Sequence, residues 1–191
     1  MPMSRRPRPG GRSAEIRLRA LRAVLDELIE GGYAGLSLDG VARRAGVHKT
    51  TLYRRWQTRE RLLLEALLEF SSQAVPIPNT GSLREDLLRF LEAVVINITT
   101  PEAQAILRAL VAEAGRGGPF SEAAREFWSA TFRLARDVVQ RGIDRGELPR
   151  DTDVDLFLET LIGPVITRAL ITGEPLDRSY ADHVVNLLLK R

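Results

Sequence analysis

Residues 37–60 read SLDGVARRAGVHKTTLYRRWQTRE, and the organisation of the chain turns on how this stretch folds. Ser37 is a residue type that caps helix N-termini. Leu38, Val41, Ala42 and Ala45 follow at helical spacing and form one apolar face, which stops at Gly46. A few residues later KTTLYRRW begins, with Leu52 and Trp56 four apart on a shared face suited to packing on Val41 and Ala45. A short helix, a tight glycine-bearing turn and a second short helix make a helix-turn-helix pattern. Thr58 then caps a longer helix that opens RERLLLEALLEFSSQ.

With Leu52 and Trp56 assigned to the core, the second short helix exposes Lys49, Thr50, Thr51, Tyr53, Arg54 and Arg55. A solvated helix usually interleaves carboxylates to form i,i+4 pairs. From Val41 through Arg59 there are none. Lysine and arginine neutralise phosphates and release counterions. Threonine hydroxyls and basic side chains reach base edges in the major groove, and a tyrosine hydroxyl can bond a phosphate. Ser37 sits at a helix N-terminus, where backbone N–H groups favour an anion. The expected DNA-contacting set is therefore Ser37, Arg43, Arg44, His48, Lys49, Thr50, Thr51, Tyr53, Arg54, Arg55 and Arg59. Within it, Arg43 and Arg44 are equally readable as solvated charges, and His48 as a cap or bystander. Arg59 opposes the dipole of its own helix, a cost that a bound phosphate would offset.

Charge is distributed in the same sense. Residues 1–61 carry 14 Lys+Arg against 6 Asp+Glu, a net of +8, while the remainder carries 14 against 19, a net of −5. Such asymmetry suggests a polyanion-binding N-terminal part. The absence of Cys excludes disulfides, Fe–S clusters and thiol nucleophiles, and only His48 and His183 could offer imidazole to a metal. No metal and no cofactor are expected. No apolar run approaches the roughly 20 residues of a membrane helix. The N-terminus lacks the apolar core of a signal peptide, so a cytoplasmic protein without membrane partners is expected.

Helical periodicity continues along the chain. Residues 1–12 should be a disordered basic tail, whose Arg5, Arg6 and Arg8 could reach a minor groove or do nothing visible. Ser13 should cap a helix running to Glu30, ended by Gly31-Gly32. Beyond the breaker PIPNTG, helices are expected at about 82–99, 102–114, 120–145, 152–173 and 177–190, with Gly163-Pro164 bending the penultimate one. No sustained strand alternation is present. The fold class is all-α with about nine helices: a three-helix helix-turn-helix domain over 13–60 and a larger helical bundle over 61–191.

LSLDGVARRAGVHKTTLYRRWQTRERLLLEAL resembles the DNA-binding domain of TetR-family transcriptional regulators over about residues 14–67. The resemblance rests on Gly46-Val47, Thr51-Leu52-Tyr53, the aromatic Trp56 and the basic Arg59. TDVDLFLETLIGPVITRALITGEPLDRSYADHVVNLLL looks like the last two helices of many members. Three positions depart from the pattern: His48 stands where a capping Ser is common, Thr50 where Gly or another small residue is common, and Trp56 where Phe is usual.

The resemblance implies a homodimer, a near-palindromic double-stranded DNA operator and a small-molecule effector bound by residues from about 68 onward. A repressor would be released when the effector shifts the spacing of the two reading helices. The apolar last helices make Leu156, Ile162, Val165, Ile166, Leu170, Val184, Leu187 and Leu188 candidates for the dimer interface. Candidates for the effector pocket are Phe90, Val94, Asn97, Leu107, Leu110, Phe127, Trp128, Thr131, Thr160 and Thr167, each of which also reads as core packing. The mix is apolar with sparse hydroxyl and amide groups and no obvious buried charge pair, which suits a largely hydrophobic ligand.

Two other readings stay open. A ligand-independent architectural DNA binder would show flat affinity across sequences. A helical enzyme would need catalytic groups, and here there is no His pair at ligand spacing, no phosphate-cradling glycine motif, and every carboxylate falls on an expected solvent face.

Overall fold

A computed structural model describes residues 11–113 and 116–190. Among the described residues there are nine α-helices and no strand. They divide into two compact units, one reaching to Leu67 and the other starting at Leu68. The expected tail, with Arg5, Arg6 and Arg8, lies outside the described residues apart from its last two positions.

In the first unit, α1 (Arg12–Gly35) packs on α2 (Leu38–Ala45), and α2 packs on α3 (Lys49–Trp56). The start of α1 differs from expectation: Ser13 is already inside the helix, and Gly11 occupies the cap position without a side-chain bond. Its end differs too. The backbone breaks at Gly32, with φ 62° and ψ −176°, a conformation costly for any residue bearing a Cβ. One further helical turn then continues to Gly35. Ala20, Val24, Leu25 and Leu28 of α1 and Leu38, Val41 and Ala45 of α2 are buried, as their spacing requires.

Helix α4 (Arg59–Ala74) runs past Leu67, so the expected boundary at 60/61 falls within its first turn. In the second unit, α5 (Leu83–Ile98) is in contact with α6 (Pro101–Glu113), α7 (Gly118–Asp144), α8 (Val154–Thr167) and α9 (Arg178–Leu189). Leu87 and Leu91 of α5, Val138 and Val139 of α7, Leu158, Leu161 and Val165 of α8, and Val185 of α9 form its core. Asp153 caps α8 by accepting from the N–H groups of Asp155 and Leu156, and Asp177 caps α9 through Tyr180 N–H.

Two expectations for this unit need correction. The penultimate helix is not α-helical to residue 173: past Pro164 it changes at Arg168–Thr172 into a π turn, closed by Gly173 N–H donating to Arg168 O at 2.9 Å. Arg168 stacks 3.7 Å from the Tyr180 ring centroid and donates to Pro175 O at 2.7 Å, fastening the following loop. Nor are all carboxylates solvent-facing. Asp86 is completely buried and accepts from Thr80 N–H at 2.6 Å and Thr80 Oγ1 at 2.8 Å, with Arg145 Nη2 at 3.7 Å. Its place in the first turn of α5 lets one carboxylate close the preceding loop and meet the favourable end of the helix dipole.

Candidate nucleic-acid interface

The turn between α2 and α3 is built by the backbone. Ser37 Oγ accepts from Gly40 N–H at 3.1 Å and starts α2. Gly46 adopts the left-handed conformation, φ 63° and ψ 41°, which lets Val47 N–H return to Ala42 O at 3.0 Å. His48 takes the N-cap position of α3 with extended backbone and no side-chain cap bond, so the first α3 donors lack the capping oxygen a serine would bring.

Leu52 and Trp56 are buried beneath α3. Lys49, Thr50, Tyr53, Arg54 and Arg55 are exposed above them, and Thr51 is half-buried. This is the division the four-residue spacing called for. The helix ends at Gln57, a non-glycine residue with φ 65°, whose side-chain carbonyl accepts from Arg61 Nη1 at 3.1 Å. Thr58 Oγ1 accepts from Arg61 N–H at 3.3 Å, the cap read from the sequence.

A carboxylate on α4 holds the far end of α3. Trp56 Nε1 donates to Glu65 Oε2 at 2.6 Å, and Arg17 Nε donates to Glu65 Oε1 at 2.5 Å. One side chain thus joins α1, α3 and α4 through charge-assisted bonds. The usual phenylalanine has no N–H to offer, so this junction depends on the tryptophan.

Several expected phosphate contacts have other employment. Arg44 donates from Nε to Glu27 Oε1 at 2.9 Å and from Nη1 to Glu30 Oε1 at 2.8 Å, pinning α2 to α1. Those hydrogen bonds, Glu30 first, raise its already high pKa. Arg59, expected as a phosphate clamp, donates from Nη1 to Leu36 O at 2.6 Å and lies 4.2 Å from the Tyr33 ring centroid. The physical reason is local: the end of α1 leaves carbonyls without helical partners, and Arg59 reaches them. Tyr33 donates to Glu60 Oε1 at 2.5 Å. Burial, then the Glu60 carboxylate, pushes the Tyr33 phenol above its ordinary value. Burial would raise the Glu60 carboxyl as well, but the bonds from Tyr33 and Arg59 outweigh it and hold it low. Arg43 and His48 are exposed.

Lys49 does not stand alone either. Its ammonium meets Asp39 at 2.6 Å and lies 5.5 Å from the Tyr53 ring centroid. Sequence reasoning passed over Asp39, Glu65 and Tyr33. Only Asp39 had a signal to find it by, being the sole acidic residue between Ser37 and Arg59.

In the second unit, Phe90, Leu107, Leu110 and Phe127 are buried, while Val94, Asn97, Trp128 and Thr131 are half-buried. Phe127, Trp128 and Phe132 form an aromatic row on α7, with centroids 5.0 and 6.3 Å apart. Thr160 and Thr167 belong to the same expected pocket set. Both are exposed, and their hydroxyls donate to Leu156 O and Gly163 O of their own helix at 2.7 and 3.0 Å. A surface cleft lies elsewhere, lined by Ser129, Phe132, Arg136, Asp155 and Glu159.

Of the expected interface residues, Leu156 and Leu187 keep 59% and 76% of their surface exposed, and Ile162, Ile166, Leu170 and Leu188 are partly covered. Val165 and Val184 correct that set, because both are buried in the unit's own core. Helix α8 is apolar on both sides, so composition did not separate its inner from its outer face. Ile171, 78% exposed in the π turn, joins the outer group unforeseen. Among the described residues no helix is long and apolar enough to cross a membrane.

Residues 20–66 match the profile of bacterial regulatory proteins of the tetR family, and residues 77–188 match a tetracyclin repressor-like C-terminal domain. The chain is similar to the HTH-type transcriptional regulator AqdR of Rhodococcus erythropolis, 36% identical over 93% of this chain and 86% of that protein. It is also similar to the DNA-binding transcriptional repressor TetR of Mycobacteroides abscessus, 31% identical over 92% of this chain and 93% of the relative. Among solved structures, the TetR family transcription regulator SCO0332 superposes with a TM-score of 0.75 at 33% identity, covering 92% of this chain and 97% of that one.

Proposed function

The chain belongs to the TetR family of DNA-binding transcriptional regulators, and from that premise we propose that it is a homodimeric repressor whose two α3 helices read a near-palindromic operator. The observation that carries this reading is the two-sidedness of α3. Leu52 and Trp56 anchor it, while Lys49, Thr50, Tyr53, Arg54 and Arg55 stand free of the core. The unit reaching to Leu67 supplies the reading head, and the unit starting at Leu68 supplies dimerisation and effector binding. The name of the Mycobacteroides abscessus relative, a repressor, supports repression.

The outward apolar residues of α8, the π turn and α9, chiefly Leu156, Ile171 and Leu187, face a second copy. A two-fold dimer of this kind sets its reading helices roughly 34–36 Å apart, one turn of DNA. A small, largely hydrophobic effector held between α5, α6 and α7, near Val94, Asn97 and Trp128, favours a spacing that no longer fits. Such a regulator works in the cytoplasm, where its operator is.

Selection of bound genomic fragments, followed by footprinting, tests the reading. One protected near-palindrome with strong preference over bulk DNA is expected, and flat affinity across fragments would leave an architectural binder instead. Sedimentation tests the dimer: Leu187→Asp should shift the protein toward monomer and weaken binding of the recovered fragment in parallel.

A further inference from the structure

Between Ser37 and Arg59 the sequence holds a single acidic residue, Asp39, in the first turn of α2. Both its oxygens meet the Lys49 ammonium, Oδ1 at 2.6 Å and Oδ2 at 2.7 Å. The two side chains remain 59% and 53% exposed, so the pair, which links the first turn of α2 to the first residue of α3, stands in the open. The Lys49 ammonium also lies over the Tyr53 ring, 5.5 Å from its centroid. The hydrogen bond from Lys49 to Asp39 holds the lysine pKa above its ordinary value.

Fold stability gives little reason for the pair. Exposed ion pairs contribute marginally, and Ser37 already caps α2. DNA gives a stronger one. A lysine neutralised by a carboxylate releases no counterion when it nears a phosphate, so it adds nothing to sequence-independent affinity. The carboxylate is itself repelled by the polyanion. Phosphates are acceptors only and cannot bond it, whereas the amino groups of cytosine N4 and adenine N6 in the major groove can.

Resting on the reading of α3 as the DNA-reading helix, we propose that Asp39 is a specificity-determining residue. By holding Lys49 it withholds one cation per protomer from arbitrary duplex, and it yields only where base-edge amino groups receive its carboxylate.

The test uses the full-length protein and two duplexes, a fragment recovered by genomic selection and a shuffled duplex of equal length and composition, titrated over a range of salt. Asp39→Asn should bind the shuffled duplex about five- to tenfold more tightly per freed lysine, with a salt slope steeper by about 0.9 per protomer. The recovered fragment should gain less, so the preference falls. Asp39→Glu, which keeps the charge on a side chain one methylene longer that can still meet the flexible Lys49, should retain more of the wild-type preference than Asp39→Asn. In a Lys49→Ala background the effect of Asp39→Asn should shrink, because the withheld cation is gone. Thermal melting of each variant checks the fold. If Lys49→Ala binds the recovered fragment like wild type, the reading of α3 fails and this inference with it. If Lys49→Ala weakens binding while Asp39→Asn changes neither preference nor slope, the inference alone is overturned.

Discussion

Trp56 Nε1 donates to Glu65 Oε2 at 2.6 Å, and through this bond the end of α3 is held by α4. The other oxygen of the same carboxylate takes Arg17 from α1. All three helices meet at one side chain, and the anchoring of α3 includes a bond that a purely apolar side chain could not make.

Trp56→Phe keeps an aromatic ring but removes the donor and leaves Glu65 with Arg17 alone. The expected loss is about 1–2 kcal/mol in urea unfolding, from the missing bond and the smaller ring. Glu65→Ala should cost a similar amount. The double variant should lose less than the sum by at least about 0.5 kcal/mol, and strict additivity would mean the bond contributes nothing.

Contact and core on α3 should separate cleanly. Lys49→Ala and Tyr53→Phe are expected to weaken binding of a selected operator with melting temperatures nearly unchanged. Leu52→Ala, at a fully buried position, should destabilise the protein by roughly 2–5 kcal/mol. Equal melting losses in all three would place Lys49 and Tyr53 in the scaffold.

Asp86 fastens the loop before α5 from a buried position. Asp86→Ala leaves Thr80 N–H without its acceptor and removes the charge facing Arg145, which keeps Glu147, and an unfolding loss of about 1–3 kcal/mol is expected. Thr80→Val, which removes only the hydroxyl partner, should cost less. Hydrogen exchange at the Thr80 amide, rapid in Asp86→Ala and slow in wild type, reports the same bond.

The Tyr33–Glu60 contact makes part of the stability depend on pH. The folded pKa of Glu60 lies below its ordinary 4.5, so its contribution is present above that value and is lost as pH falls through the folded pKa. Tyr33 has the opposite shift. Its folded pKa lies above 10.0, so stability declines as pH rises from that value through the folded one. Glu60→Gln should therefore melt lower than wild type near neutrality, with the gap closing in acid below about pH 4. A gap independent of pH would contradict this origin.

Periodicity and capping made the helices legible in the chain itself. Leu52 and Trp56, four apart, could share only one face of a helix, and Ser37, Gly46 and Thr58 stood where local backbone chemistry needs them. Such signals act over a few residues, so they survive without knowledge of neighbours. Resemblance to the TetR family likewise rested on contiguous motifs.

Partnerships between distant residues were not legible. Arg44 and Arg59 read as free cations until packing set Glu27, Glu30 and the Leu36 carbonyl beside them. Val165 and Leu156 are equally apolar, yet one is buried in the core and the other faces outward, since α8 has neighbours on one side. Asp86 looked like any surface acid until the loop at Thr80 folded over it. In each case the energy of the side chain depends on which long-range group arrives within a few ångströms, and sequence spacing carries no record of that distance.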